Sequence, residues 1–197
     1  KSDGTVWTWG ANFSGKLGLG VDSASLNRLL APAEVHGPED VSYLNSIKAV
    51  MGGEVHNVAL ASDGAVWAWG NNMFGQLGNG TTNETHTPTR VTGLNSVISL
   101  GGRGYHTLAI ESDGSVWAWG WNSTGELGNG TTNATLVPVR VAGLTNPAAV
   151  SGGYHYSIAL MTNGTVFQWG HGRVIGNSST PEPTPGSPHR RPRAPAA

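Results

Sequence analysis

The chain has 197 residues, of which 30 are Gly, eight are Trp and 12% are charged, and it contains no Cys. A disulfide framework, a thiol nucleophile and a Cys-containing zinc site are therefore excluded. The formal charge is -1, and residues 1–176 carry eight Lys/Arg against eleven Asp/Glu, a balance that argues against nucleic-acid binding through a broad basic face.

The first element, DGTVWTWG at 3–10, recurs as DGAVWAWG at 63–70, DGSVWAWG at 113–120 and NGTVFQWG at 163–170. Fixed self-similarity of this kind marks a repeat architecture. The first interval is ten residues longer than the others, and the extra length falls between Gly20 and Leu44, in a connection, where loops tolerate insertion. Each unit reads as four short strands. In the second copy these are Val66–Trp69, Thr87–Val91 with Pro88 at an edge, Val97–Leu100 and Thr107–Ile110. Asp113-Gly114 then turns the last run into the next Val-Trp strand, because Gly accepts the positive φ of a tight hairpin.

Side chains alternate along a strand, so Val66 and Ala68 take one face and Trp67 and Trp69 the other. Both faces are apolar, and a small sheet of this kind needs a neighbour on each side, as in the radial stacking of propeller blades. The expected fold is all-β, a propeller of four-stranded blades with thirteen strands: three blades plus one strand, a partial propeller whose open blade edges invite self-association. Residues 1–176 form this domain. Residues 177–197, with six prolines after Asn177 and no apolar period, are expected to be a disordered tail. No run reaches the ~20 apolar residues of a membrane-spanning helix. The chain starts at Lys1 without Met, so an upstream portion is expected to have been lost.

The motif WGNNMFGQLGNGTT at 69–82, its copies WGANFSGKLGLG at 9–20 and WGWNSTGELGNGTT at 119–132, and the preceding Gly-Gly-x-x-His-x-x-x-Leu run resemble the regulator-of-chromosome-condensation (RCC1) repeat. The resemblance implies blades of a seven-bladed propeller, and extends to bacterial RCC1-like proteins, among them secreted propellers that inhibit β-lactamases by covering the active site. The fourth copy departs from it, losing the Asn and two loop residues after Trp169-Gly170.

The structural positions of the repeat are Trp69, Trp119 and Trp169, each followed by Gly70, Gly120 and Gly170, with His56 and His106 standing where the third copy has Tyr156. Three converging histidines would suit a metal, but Tyr156 and the lack of carboxylates at ligand spacing argue against one, so these histidines are expected to bond a neighbouring backbone group. Asp3, Asp63 and Asp113 become Asn163 in the fourth copy. Asn shares the turn-forming ability of Asp but not its acid–base chemistry. Asn79, Asn83, Asn129 and Asn133 each open a glycosylation acceptor pattern. Those at 79 and 129 belong to the Gly-rich loop and need no glycan to explain them.

The candidate partner-binding residues are Phe13, Met73, Phe74 and Trp121, large apolar groups at loop positions where other copies carry Ser14, Ser123, Thr124 or Ala11. Local loop packing is the competing reading. The expected function is a non-catalytic protein-interaction module working through this loop rim, with no cofactor and no nucleic-acid partner. The alternative, implied by the resemblance, is guanine-nucleotide exchange on a small GTPase. The Pro/Thr-rich stretch Thr180–Pro185 resembles linkers of exported bacterial proteins and suggests an extracellular or cell-surface location, with the cytoplasm as the alternative.

Overall fold

The computed structural model describes residues 1–40 and 42–171, together with the backbone of Thr184–Pro185. The remainder of the Pro-rich tail lies outside the described residues. Three antiparallel sheets of four strands follow a two-stranded one. The first pairs β1 (Trp7–Ala11) with β2 (Arg28–Glu34). The second runs β3 (Ile47–Gly52), β4 (His56–Ala61), β5 (Val66–Gly70), β6 (Thr85–Arg90), and the third β7 (Val97–Arg103), β8 (His106–Glu111), β9 (Ser115–Gly120), β10 (Thr135–Thr145). The fourth runs β11 (Pro147–Gly152), β12 (Tyr156–Met161), β13 (Val166–Gly170) and a two-residue β14 (Thr184–Pro185).

The thirteen expected strands are present, and β14 is an addition, but the grouping differs from three blades plus one strand. Each blade starts at the Gly-Gly strand, so sequence repeat and blade are out of phase by two strands. The Asp-Gly hairpin fixes this phase: it locks β4 to β5 with Leu60 opposite Val66 and His56 opposite Gly70. Because β1 already pairs with β2, the first blade is an outer half rather than a lone strand. The strands β3, β7 and β11 approach one another and form the inner edge.

Pro32, Pro88 and Pro138 all lie in outer strands, within the stretch where the ladder register breaks. A residue without an N–H costs least there. The inserted length after Gly20 falls on both sides of β2. The larger share lies at 35–46, where His36 bridges to Tyr43, against the short 91–96 connection of the next blade.

Hydrophobic burial occurs between blades. Val58, Leu60, Val66 and Ala68 of the second blade pack against Ala109 and Trp119 of the third, with Leu77 and Val91 closing the layer. Leu108, Ile110, Val116 and Ala118 repeat the pattern against Ala159 and Trp169. Each joint therefore sets an aliphatic face against a tryptophan face.

Candidate protein-binding rim

The loop that follows each Val-Trp strand is built by three devices. Gly70 has φ +104°, and a Cβ there would stand 2.6 Å from Val55 O; this turn lets Asn71 donate its N–H to the same carbonyl at 3.0 Å. Asn72 is fully buried. Its Nδ2 donates to Thr81 O and Asn83 O, both at 3.0 Å, and its Oδ1 accepts from Leu77 N at 3.0 Å. Asn12 and Asn122 repeat the clamp. Next, Gly78 lies against the following blade, where a Cβ would meet Trp119 Nε1 at 2.8 Å. That indole donates instead to Gln76 O at 2.9 Å, as Trp69 does to Lys16 O and Trp169 to Glu126 O.

The histidines belong to the same joint. His106 Nε2 lies 2.9 Å from Ser157 Oγ, and that hydroxyl donates to Glu126 O at 2.8 Å. Because the hydroxyl proton is committed, His106 must carry its own proton on Nε2 and donate it. His56 makes the equivalent 3.0 Å bond to Thr107. Their partners are thus side-chain hydroxyls of the next blade, where a neighbouring backbone group was expected. The cause is the alternation at that position, Asn57, Thr107 and Ser157, which places a short polar group beside each ring. Tyr156, at the start of β12 in the fourth blade, is exposed. Among the described residues, no three His, Cys, Asp or Glu side chains converge at metal-ligand spacing, and no helix is long and apolar enough to cross a membrane.

The loops share one end of the propeller with the inner turns. Phe13 and Met73 stand out from it, 64% and 61% exposed. Phe74 and Trp121 are half-buried and meet across a blade joint, ring centroids 4.1 Å apart at 73°, and Phe74 also lies edge-on to Tyr105 at 5.6 Å. The structure thus brings two of the four candidates together and leaves the other two exposed on separate loops. On the inner turns, the hydrogen bond to the Glu54 carboxylate holds the Tyr154 hydroxyl above its usual range, and Arg103 lies 5.9 Å from the Tyr154 ring. Sequence reasoning had not drawn these three residues into the rim.

Glu126 is also buried there. Its Oε2 accepts Thr124 N at 2.8 Å, whereas Oε1 has only His155 Nδ1 at 3.5 Å. The equivalent Gln76 satisfies both ends of its amide, with Phe74 N and Asn71 Oδ1. Removing a poorly paired buried charge is often stabilising. Glu126→Gln is therefore expected to raise stability by about 1 kcal/mol, read as a higher denaturation midpoint in urea at pH 8.

The opposite end carries the Asx turns. Asp3, Asp63, Asp113 and Asn163 each accept the backbone N–H two residues on, at 2.8–2.9 Å. The same geometry from Asp and Asn assigns these residues to turn formation.

The model of the regulator of chromosome condensation (RCC1) repeat matches residues 3–60, 63–110 and 113–160. The chain is an RCC1-repeat protein. This RCC1-repeat chain is 38% identical over 77 residues to an X-linked retinitis pigmentosa GTPase regulator homolog of Caenorhabditis elegans, covering 39% of this chain and 5% of that protein. It is 38% identical over 80 residues to the human E3 ubiquitin-protein ligase HERC2, covering 41% and 2%. It is 37% identical over 84 residues to a zebrafish (Danio rerio) RCC2 homolog, covering 42% and 15%. The expected bacterial origin finds no support in these animal relatives. Among solved structures, yeast RCC1 (Prp20) bound to Kap60 superposes with TM-score 0.77 at 24% identity, over 93% of this chain and 45% of that one. Human WBSCR16 superposes with TM-score 0.76 at 26% identity, over 92% and 48%. The RCC1-repeat chain thus spans about half the length of these propellers.

Proposed function

We propose that this chain is a non-catalytic protein-interaction module that binds through its loop end. The observation that carries the reading is Phe13 and Met73, both exposed at the end of the propeller that also carries the Phe74–Tyr105–Trp121 ring cluster, at a loop position where the third copy has Ser123. Large apolar groups held out by a rigid scaffold are the usual anchors of a protein interface. The likeness to the nematode GTPase regulator homolog supports a second reading in which the partner is a small GTPase and binding drives nucleotide release. An extracellular or cell-surface setting is compatible with the first reading only.

The internal repeats supply replacements that the fold already accepts. Phe13→Ser and Met73→Ser copy Ser123, and surface changes of this kind cost under about 0.5 kcal/mol. A photo-crosslinker at Met73 is expected to trap a discrete partner that the same group at Asp113, on the opposite end, does not. The double variant should weaken capture at least tenfold with an unchanged melt. Equal crosslinking from both ends would reject the loop face. Accelerated release of a fluorescent guanine nucleotide from a small GTPase would decide for the second reading.

A further inference from the structure

The inner turn of the third blade departs from those of its neighbours. The second and fourth blades carry Gly53 and Gly153 there, where a Cβ would run into the ring that follows, His56 or Tyr156. The third blade carries Arg103 instead. A change of register accommodates it: β7 runs one residue further than β3 and β11, Arg103 pairs directly with His106, and Gly104 at φ +67° closes a tight hairpin with Tyr105. The Arg103 side chain is exposed.

Gly104 has a second effect. Glu54 N donates to Gly104 O at 3.1 Å, and a Cβ on Gly104 would stand 3.0 Å from Tyr154 Cα. With no side chain between them, Glu54 of the second blade reaches past the third to hydrogen-bond the Tyr154 hydroxyl of the fourth. Arg103 lies 5.9 Å from the ring of that same tyrosine. The Glu54 carboxylate is thus engaged, whereas the Arg103 guanidinium forms no ion pair among the described residues. Tyr105, two residues on, lies edge-on to Phe74, and its carbonyl accepts the Trp121 N–H at 2.9 Å. One hairpin therefore carries both an unpaired guanidinium and a member of the ring cluster.

We propose that Arg103 determines the specificity of the loop face, and that its partner is a protein segment presenting one Asp or Glu carboxylate next to an apolar side chain that packs on the Phe74–Tyr105–Trp121 rings. The inference rests on the loop end being the binding face. A guanidinium fork matches a carboxylate through two parallel hydrogen bonds. Because Glu54 and Arg103 meet the same tyrosine, the site suits a single negative charge better than a phosphate dianion or the phosphate run of a nucleic acid. Arg, Tyr and Trp are also the residues that dominate protein-interface hot spots.

The test pans random linear peptides displayed on phage against the whole chain and places each selected peptide by hydrogen-exchange protection. Protection is expected at 53–55, 71–76, 103–105 and 121–125, from sequences that hold an Asp or Glu beside an apolar residue. Arg103→Gly copies Gly53 and Gly153 at an exposed site, so it should keep the wild-type circular dichroism and melt while binding these peptides at least tenfold more weakly. Arg103→Lys, which keeps the charge and loses the fork, should recover part of that loss. Changing the peptide's carboxylate to its amide should cost as much against the wild type and nothing further against Arg103→Gly. Loop-end peptides indifferent to Arg103→Gly would overturn the role of Arg103 and leave the loop face standing. A selection with no loop-end binder, or with protection only around Asp63 and Asp113, would overturn both. Tighter binding of a phosphotyrosine peptide than of its glutamate counterpart would overturn the choice of a carboxylate.

Discussion

Lowering the pH from 7 to 4.5 should destabilise this propeller steeply. Burial holds the two joint histidines neutral: desolvation pushes His56 down to about 3, with His106 adding to the effect. Desolvation likewise pushes His106 down to about 4, against the Glu126 carboxylate and with help from His155. In the unfolded chain both return to about 6.5. Between pH 6.5 and 4 the unfolded state therefore binds protons that the native state does not, so stability rises with pH across that window, is complete above it and is lost as pH falls through it. Each fully titrating histidine contributes about 1.4 kcal/mol per pH unit. Two of them should remove roughly 2.5 kcal/mol between pH 5.5 and 4.5. The exposed carboxylates Asp3, Asp22 and Asp113, lowered chiefly by hydrogen bonds to Thr5, Ser25 and Ser115, act only at lower pH. The expected melting curve is flat from pH 8 to 7 and falls by roughly 5–10 °C from pH 5.5 to 4.5. His106→Gln keeps a donor for Ser157 without titrating, so its acid loss should be about half that of the wild type. A melting temperature independent of pH down to 4.5 would mean that water reaches the two rings.

The parts of this fold that are legible in the sequence depend on local chemistry. Asp63-Gly64 announces its hairpin because both residues act on their own turn, and Val66–Trp69 announces a strand with two covered faces because alternation is a property of four consecutive residues. The joint is less legible. His56 bonds a hydroxyl 51 residues away, and only the run Asn57, Thr107, Ser157, always short and polar, hinted that something met it there. Asn72 is read easily as a loop residue. Its role as a clamp stays hidden because its acceptors are backbone carbonyls, which any side chain can accompany. Gly78 is hidden for a related reason: Trp119 of the next blade, not a turn of its own, forbids a side chain there. The candidate rim divided along the same line. Exposure of Phe13 and Met73 follows from their place on the loop, whereas the contact between Phe74 and Trp121 depends on the spacing of two blades, which no single repeat encodes.

The same motif residue should have opposite weights at two places in the chain. Trp119 is fully buried, fills the joint between the second and third blades with Leu60, Val66, Leu77 and Val97, and donates to Gln76 O at 2.9 Å. Truncation to Ala empties a large volume that rigid sheets on both sides cannot collapse to fill, and it leaves Gln76 O with the 3.4 Å bond from Thr107 Oγ1. The expected cost is about 3–5 kcal/mol, a fall in melting temperature of roughly 10 °C or more for a domain of this size. Trp119→Phe keeps most of the volume and removes the donor, so it should cost about 1–3 kcal/mol. Trp9 occupies the identical place in DGTVWTWG but is 62% exposed, and Trp9→Ala should change stability by under about 0.5 kcal/mol when measured in urea at protein concentrations too low for association. The difference between the two alanine variants thus measures what an adjoining blade contributes to one tryptophan. If Trp9→Ala proved as costly as Trp119→Ala in dilute monomer, the first half-blade would have to be covered by this chain itself.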